Sequence, residues 1–156
     1  MAGGALTLAG CGSSKFQDYN GPQVTSLLAY KESRSLYVLH NTEVLEAYNF
    51  ELGGNPIGPK QFQGDGKTPE GTYRIFFRNP NSAYHLSLGI SYPNVIDVAR
   101  ARSAGQEPGG DIFIHGTPRE VQGDADWTAG CFAVTNKEIE EIYAMVQVGT
   151  PIFIYP

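Results

Sequence analysis

Positive charge is scarce in this chain of 156 residues: 11 lysines and arginines stand against 16 aspartates and glutamates, for a formal net charge of -5. No basic run exists to neutralise phosphates, which argues against a nucleic-acid partner and against a polybasic membrane patch. Cysteine is rarer still, with Cys11 and Cys131 alone, and neither belongs to a CxxC pair. The three histidines, His40, His85 and His115, lie far apart in the sequence. Zinc-type spacing is therefore missing, and no metal site is expected. Outside the N-terminus, no apolar stretch approaches the roughly 18 residues that a membrane span requires. Charged residues are 17% of the chain and apolar ones 41%, which excludes both a disordered tail and a coiled coil.

Turn formers and aromatics are plentiful, with 19 glycines, 10 prolines and 9 tyrosines. That composition suits many turns and short strands. The length fits one domain and is too short for two ordinary ones.

The first residues carry a distinct signal. In "MAGGALTLAGCGSS", Leu8-Ala9-Gly10-Cys11 resembles the bacterial lipobox. The resemblance implies cleavage before Cys11 and lipid on that cysteine. Residues 1–10 are then a remnant of a lipoprotein signal peptide, 11–23 the lipidated cysteine with a tether, and 24–156 the globular domain. The resulting expectation is an exported, periplasmic monomer held to the cell envelope, at the outer membrane, by its N-terminal lipid. No Lys or Arg opens the apolar leader, so Met1 reads as a shortened start. The alternative is a Gly/Ala leader with a chance cysteine.

From Val24 onward the pattern is β. "SLLAYK", "SLYVLH" and "VLEAYNFEL" are expected to form an antiparallel meander. The Gly/Pro-rich stretch 53–71 is a long loop, of a length that is often functional. "TYRIFFR" and "AYHLSLGISY" follow as strands, the second with Gly89 marking a bulge or a close backbone approach. Asn94 is placed to cap a short helix stopped by Gly105. "DIFIHG" is a strand, 117–130 a loop and "CFAV" a strand. Thr135 and Glu138 fit a capping box for a helix whose Ile139, Ile142, Tyr143 and Val146 share one face. "TPIFIYP" closes the chain as a strand. The fold class is mainly β, with two peripheral helices.

"GDGKTP" at 64–69 invites a phosphate-loop reading, but the first glycine of that motif would fall on Gln61. Pro69 also stands where the motif's helix should propagate. The nucleotide reading fails on both counts.

Cys131 admits three readings: a small buried hydrophobe, half of a Cys11–Cys131 disulfide, or a nucleophile. A disulfide would compete with lipidation for the Cys11 sulfur. His115 ends its strand, and a polar loop of 14 residues (117–130) separates its Gly116 from Cys131. Such a loop can bring two strand ends together and set imidazole beside thiol. Imidazole can take the thiol proton, and backbone N–H groups of "AGC" can meet the oxyanion formed on attack at an amide carbonyl. A buried cysteine and an unrelated strand-end histidine fit the same spacing.

"FQGDGKTPEGTYRI", "IFIHGT" and "TAGCFAVT", in this order, resemble the YkuD-type L,D-transpeptidase catalytic domain, and in particular its YafK-like branch. That family shows a G-D-x-x-T-P-x-G-x-[FY] segment, then H-G, then [ST]-x-G-C. The resemblance covers residues 24–156 and implies a YkuD-like β-sandwich or barrel-like sheet pair with two or three peripheral helices. It implies peptidoglycan stem peptides as substrate and no cofactor. Carried onto this chain, Cys131 is the nucleophile, His115 the acid/base, and Gly130 and Cys131 supply the oxyanion hole. Tyr84, His85, Gly116, Thr128 and Ala129 are expected to contact substrate. Asp65, Thr68 and Gly71 are better read as shaping the Gly-rich loop.

Two positions depart from the wider family. Ala129 stands where histidine usually precedes the glycine, and Ala133 where arginine usually follows the cysteine. His85 is expected to lie in the cleft and replace part of what is missing. The activity implied is L,D-transpeptidation through a Cys thioester. The alternatives are hydrolysis of that thioester, as an amidase or L,D-carboxypeptidase, or a non-catalytic peptidoglycan-binding lipoprotein.

Overall fold

The computed structural model describes residues 14–156. Cys11 and the lipobox therefore lie outside the described residues.

Three strands, β1 (Ser26–Tyr30), β2 (Ser35–His40) and β3 (Glu43–Asn49), form the expected antiparallel meander. Alternation drives it: Leu27 and Ala29 in β1, and Leu36 and Val38 in β2, are all fully buried. Strand β4 (Gly71–Asn79) joins two halves of the fold. Its first four residues pair with the last strand, β8 (Pro151–Tyr155), and its later residues pair with β5 (Ser87–Ile90). Strand β8 also runs parallel to β1, with Leu27 opposite Ile152. Two very short strands, β6 (Phe113–His115) and β7 (Phe132–Ala133), complete the order β3-β2-β1-β8-β4-β5-β6-β7. The result is mainly β, a curled half-barrel of strands with two helices.

A register shift between Ile75 and Phe77 bends β4 where it changes partners. Gly89 lies opposite this irregularity, and a Cβ there would come within 3.0 Å of the Phe76 ring and 3.2 Å of Phe77 Cβ. The expected close approach is thus a strand crossing packed with aromatics.

Helix α1 (Val95–Ser103) opens with a complete capping box between Asn94 and Asp97. Helix α2 (Asn136–Met145) opens with the same device between Thr135 and Glu138. Each cap is worth about 1 kcal/mol. Ile139, Ile142 and Tyr143 face the core from α2. That apolar stripe seats the helix against β5 and β6, and so braces the strand that carries His115.

The region read as one strand from Ala83 to Tyr92 is shorter in the structure. His85 adopts φ 74°, which breaks extended backbone, and pairing starts only at Ser87. Tyr84 O instead accepts from Leu86 N and Gly116 N, both at 3.0 Å. This turn swings the Tyr84 ring over the end of β6.

Residues 14–23, read as tether, lie against the domain. Lys15 donates to Pro80 O at 2.7 Å, Gln17 to Glu140 at 3.2 Å, and Phe16 packs near Tyr143.

Candidate active site

Strands β6 and β7 run parallel, with Ile114 opposite Phe132 and His115 opposite Ala133. Extending that register by one residue puts Cys131 opposite Phe113. Residues two apart on a strand share a face, so the side chains of Cys131 and His115 leave the sheet on one side as diagonal neighbours. Both line a single open cavity of about 520 Å³, together with Tyr84, Asp111, Phe113, Trp127, Thr128 and Ala129. Cys131 is half-buried and has a free thiol.

The protonation states follow from the partners. His115 Nδ1 lies 2.7 Å from Gly116 O. A carbonyl only accepts, so Nδ1 carries the proton and Nε2 holds the lone pair. Burial pushes the His115 pKa below its ordinary value, and the Gly116 hydrogen bond only partly offsets this. The ring is a neutral base. Tyr84 stacks on it at 4.4 Å between centroids, and Trp127 stands at 5.6 Å on a tilt. These two aromatics fix its plane.

The thiol is protonated at rest. Burial raises the Cys131 pKa; a backbone hydrogen bond from Phe113 opposes the rise, Asp111 adds to it, and Lys60 counters weakly. Sγ donates to Asp111 O at 3.3 Å. Thiol and imidazole are thus both neutral, and the chemistry this suits is proton transfer during attack rather than a standing thiolate–imidazolium pair.

A second layer builds the loop before Cys131. Thr128 Oγ1 accepts from Gly130 N at 3.1 Å and donates to Cys131 O at 2.9 Å. Gly130 O accepts from Thr68 Oγ1 at 2.8 Å, and Thr68 is fully buried. Gly130 has φ 129°, and a Cβ there would sit 2.5 Å from Lys67 O. Only glycine lets the two loops touch here.

The Gly-rich loop is itself organised by Asp65. Its carboxylate accepts from Lys60 Nζ at 2.8 Å and from the N–H groups of Gln61, Phe62 and Lys67 at 2.8, 3.2 and 3.0 Å. Burial alone would raise the Asp65 pKa, but these bonds outweigh it and hold the carboxyl below its usual value. The side chains of Lys60 and Asp65 are each 4% exposed. A second buried lysine, Lys31, bonds Gly58 O, Thr68 O and Glu70. Sequence reading missed both lysines, because nothing in a local pattern says that a loop lysine turns inward.

The expected site residues separate into two groups. Cys131, His115, Tyr84, Thr128 and Ala129 converge on the cavity. His85 does not: its turn directs Nε2 to Glu140 on α2, at 2.7 Å, and it is absent from the cavity lining. Its expected place in the cleft rested on a strand that starts only after it, at Ser87. Gly116 lies behind His115 and works through its backbone, its N–H bonding Tyr84 O and its carbonyl bonding the imidazole. The Gly130 N–H already donates to Thr128, while none of these loop bonds uses the Cys131 N–H. His40 ends β2 and bonds Gln23 O at 2.7 Å, as a strand-end histidine should.

Comparison with known proteins gives a consistent picture. The family model for YkuD, the L,D-transpeptidase catalytic domain, matches residues 25–154. YafK of Escherichia coli (strain K12), a protein whose own L,D-transpeptidase assignment is provisional, is 35% identical over 141 residues. That match covers 81% of this chain and 52% of YafK. Among solved structures, a point variant of the helical cell shape determining protein Pgp2 from Campylobacter jejuni superposes with TM-score 0.66 at 25% identity, covering 87% of this chain and 48% of that one. Bd1075 of Bdellovibrio bacteriovorus gives TM-score 0.61 at 27% identity over 85% and 48% of the two chains. The chain spans about half the length of each of these relatives.

Proposed function

Because the chain belongs to the YkuD family of L,D-transpeptidase catalytic domains, we propose that it is a cysteine acyltransferase of the cell wall acting on peptidoglycan stem peptides. The observation that carries this reading is the shared cavity of Cys131 and His115, with Nδ1 tied to Gly116 O so that Nε2 is the basic nitrogen.

In this mechanism Sγ attacks the carbonyl carbon of the third stem residue while its proton passes to His115 Nε2. The oxyanion meets the Cys131 N–H, worth about 3 kcal/mol of barrier for one such donor. Collapse breaks the C–N bond, and the departing amine takes the proton from His115. A thioester remains on Cys131. An amine from a neighbouring stem then attacks it, giving its proton to His115, and the thiol is restored.

Hydrolysis of the same thioester is the second reading. It draws on Ala129, in the cavity wall, and Ala133, on β7: the wider family carries there a histidine that is a polar neighbour of the thiol and an arginine suited to an anionic substrate group, and without them the acceptor need not be an amine. Incubation with tetrapeptide-bearing muropeptides separates the two: cross-linked dimers mean transfer, shortened or released stems mean hydrolysis. Intact stems, with no mass gain on Cys131 from a thiol-directed carbapenem, would leave a non-catalytic binding module. The lipobox supports export and lipid anchoring through Cys11 in the periplasm. An unmodified Cys11 in the mass spectrum of protein made in a bacterium would exclude that anchoring.

A further inference from the structure

The cavity around Cys131 carries almost no charge. Its wall is apolar or neutral at Asn79, Ser82, Phe113 and Trp127, His115 is neutral, and no Lys or Arg lines it. Among the described residues that line it, Asp111 alone is acidic, and its charge acts on the Cys131 thiol. Asp111 is exposed, holds φ 55° and forms no ion pair among the described residues. Its backbone carbonyl accepts a hydrogen bond from Sγ at 3.3 Å, so the backbone of this residue stands beside the sulfur. The nearby cation that also acts on the thiol, Lys60, is buried and neutralised by Asp65 at 2.8 Å. Arg78, on the strand leading into the cavity wall, is turned to Tyr143 O and Gln147.

A site with one unpaired negative charge and no cation repels carboxylates and gathers ammonium groups. An acceptor amine reaches the thioester mostly protonated at neutral pH, because ordinary amine pKa values lie at about 8 and above. We infer that the Asp111 carboxylate forms an amine subsite that captures the ammonium of the acyl acceptor beside the Cys131 thioester. This rests on the acyl-enzyme reading above and favours transfer to an amine over transfer to water. The captured ammonium loses one proton to solvent. Its nitrogen then bonds the thioester carbon, the C–S bond breaks with its electron pair on Sγ, and the second proton passes through His115 to that sulfur.

Two measurements on the full chain test this. The first compares the rates at which ammonium-bearing and sulfonate-bearing methanethiosulfonates modify Cys131, each normalised to a free thiol. The ammonium reagent is expected to be faster by about tenfold at low salt, with the preference compressed by high salt. Asp111→Asn should abolish the preference and Asp111→Glu should keep it; if Asp111→Asn does not fold, the salt dependence of the wild type still reads the charge. Equal rates, or a faster sulfonate, would overturn the subsite. The second measurement divides the acyl-enzyme between an alkylammonium acceptor and hydroxylamine, which is neutral at neutral pH. The product ratio should fall about tenfold in Asp111→Asn. An unchanged ratio overturns the acceptor role alone, whereas failure to detect any acyl-enzyme in the wild type removes the underlying reading and the acceptor role with it.

Discussion

The Thr68 hydroxyl donates to the Gly130 carbonyl at 2.8 Å, across 62 residues of chain. Through this bond the Gly-rich loop holds the peptide immediately before Cys131. Thr68→Val keeps the shape and removes the donor, leaving a buried carbonyl without its partner. A loss of about 1–3 kcal/mol in denaturant-unfolding stability is expected. Cys131 acylation should slow as well, since the loop that presents it loosens. Unchanged stability and unchanged acylation would mean that the contact does not hold the loop.

The Lys60–Asp65 pair sits 4% exposed at both ends. Removing one partner strands a buried charge, so Asp65→Asn or Lys60→Met should cost about 3–5 kcal/mol in urea melts. The pH sign follows from the lowered Asp65 pKa. Its stabilisation is complete above the unfolded carboxyl value, about 3.9, and disappears as pH falls through the lower folded value. The Asp65→Asn variant should therefore lose the corresponding part of the wild type's acid sensitivity.

His85→Ala should leave acyl-enzyme formation within about threefold of wild type, because its ring faces Glu140 outside the cavity. Its partly exposed pair supports only a small stability change, about 0–1 kcal/mol in a thermal or urea melt. A loss of acylation beyond tenfold would return this histidine to the chemistry.

Alkylation of Cys131 by iodoacetamide should be slow at neutral pH and rise through the alkaline range, since burial raises the thiol pKa. The acid limb of the catalysed reaction should lie below the ordinary histidine value of about 6.5, because His115 stays neutral, and so basic, at lower pH than a free imidazole. Rapid alkylation that is flat from pH 5 to 8 would point to a preformed thiolate and contradict this.

These expectations divide by how local their causes are. The strand end at His115 and the length of the loop before Cys131 allow the two to meet, and the family resemblance makes that meeting the expectation; the Asn94 cap and the Thr135–Glu138 capping box are readable from short windows, whereas the part Asp97 plays at Asn94 is not. His85 was misplaced because β-rich composition around it hides a left-handed residue at which the strand fails to start. The Gly130 N–H was expected to be free for an oxyanion, yet the Thr128 hydroxyl two residues earlier takes it. Lys31, Lys60 and the Thr68–Gly130 bond depend on how two distant loops fold onto each other, which no periodicity encodes.

The most direct test of the central claim is intact-protein mass spectrometry after acid quench of a reaction with a tetrapeptide stem. An acyl adduct mapped to Cys131 is expected, lost in Cys131→Ala and at least about 100-fold slower to form in His115→Ala. An adduct on another residue, or full-rate acylation without the His115 imidazole, would contradict it.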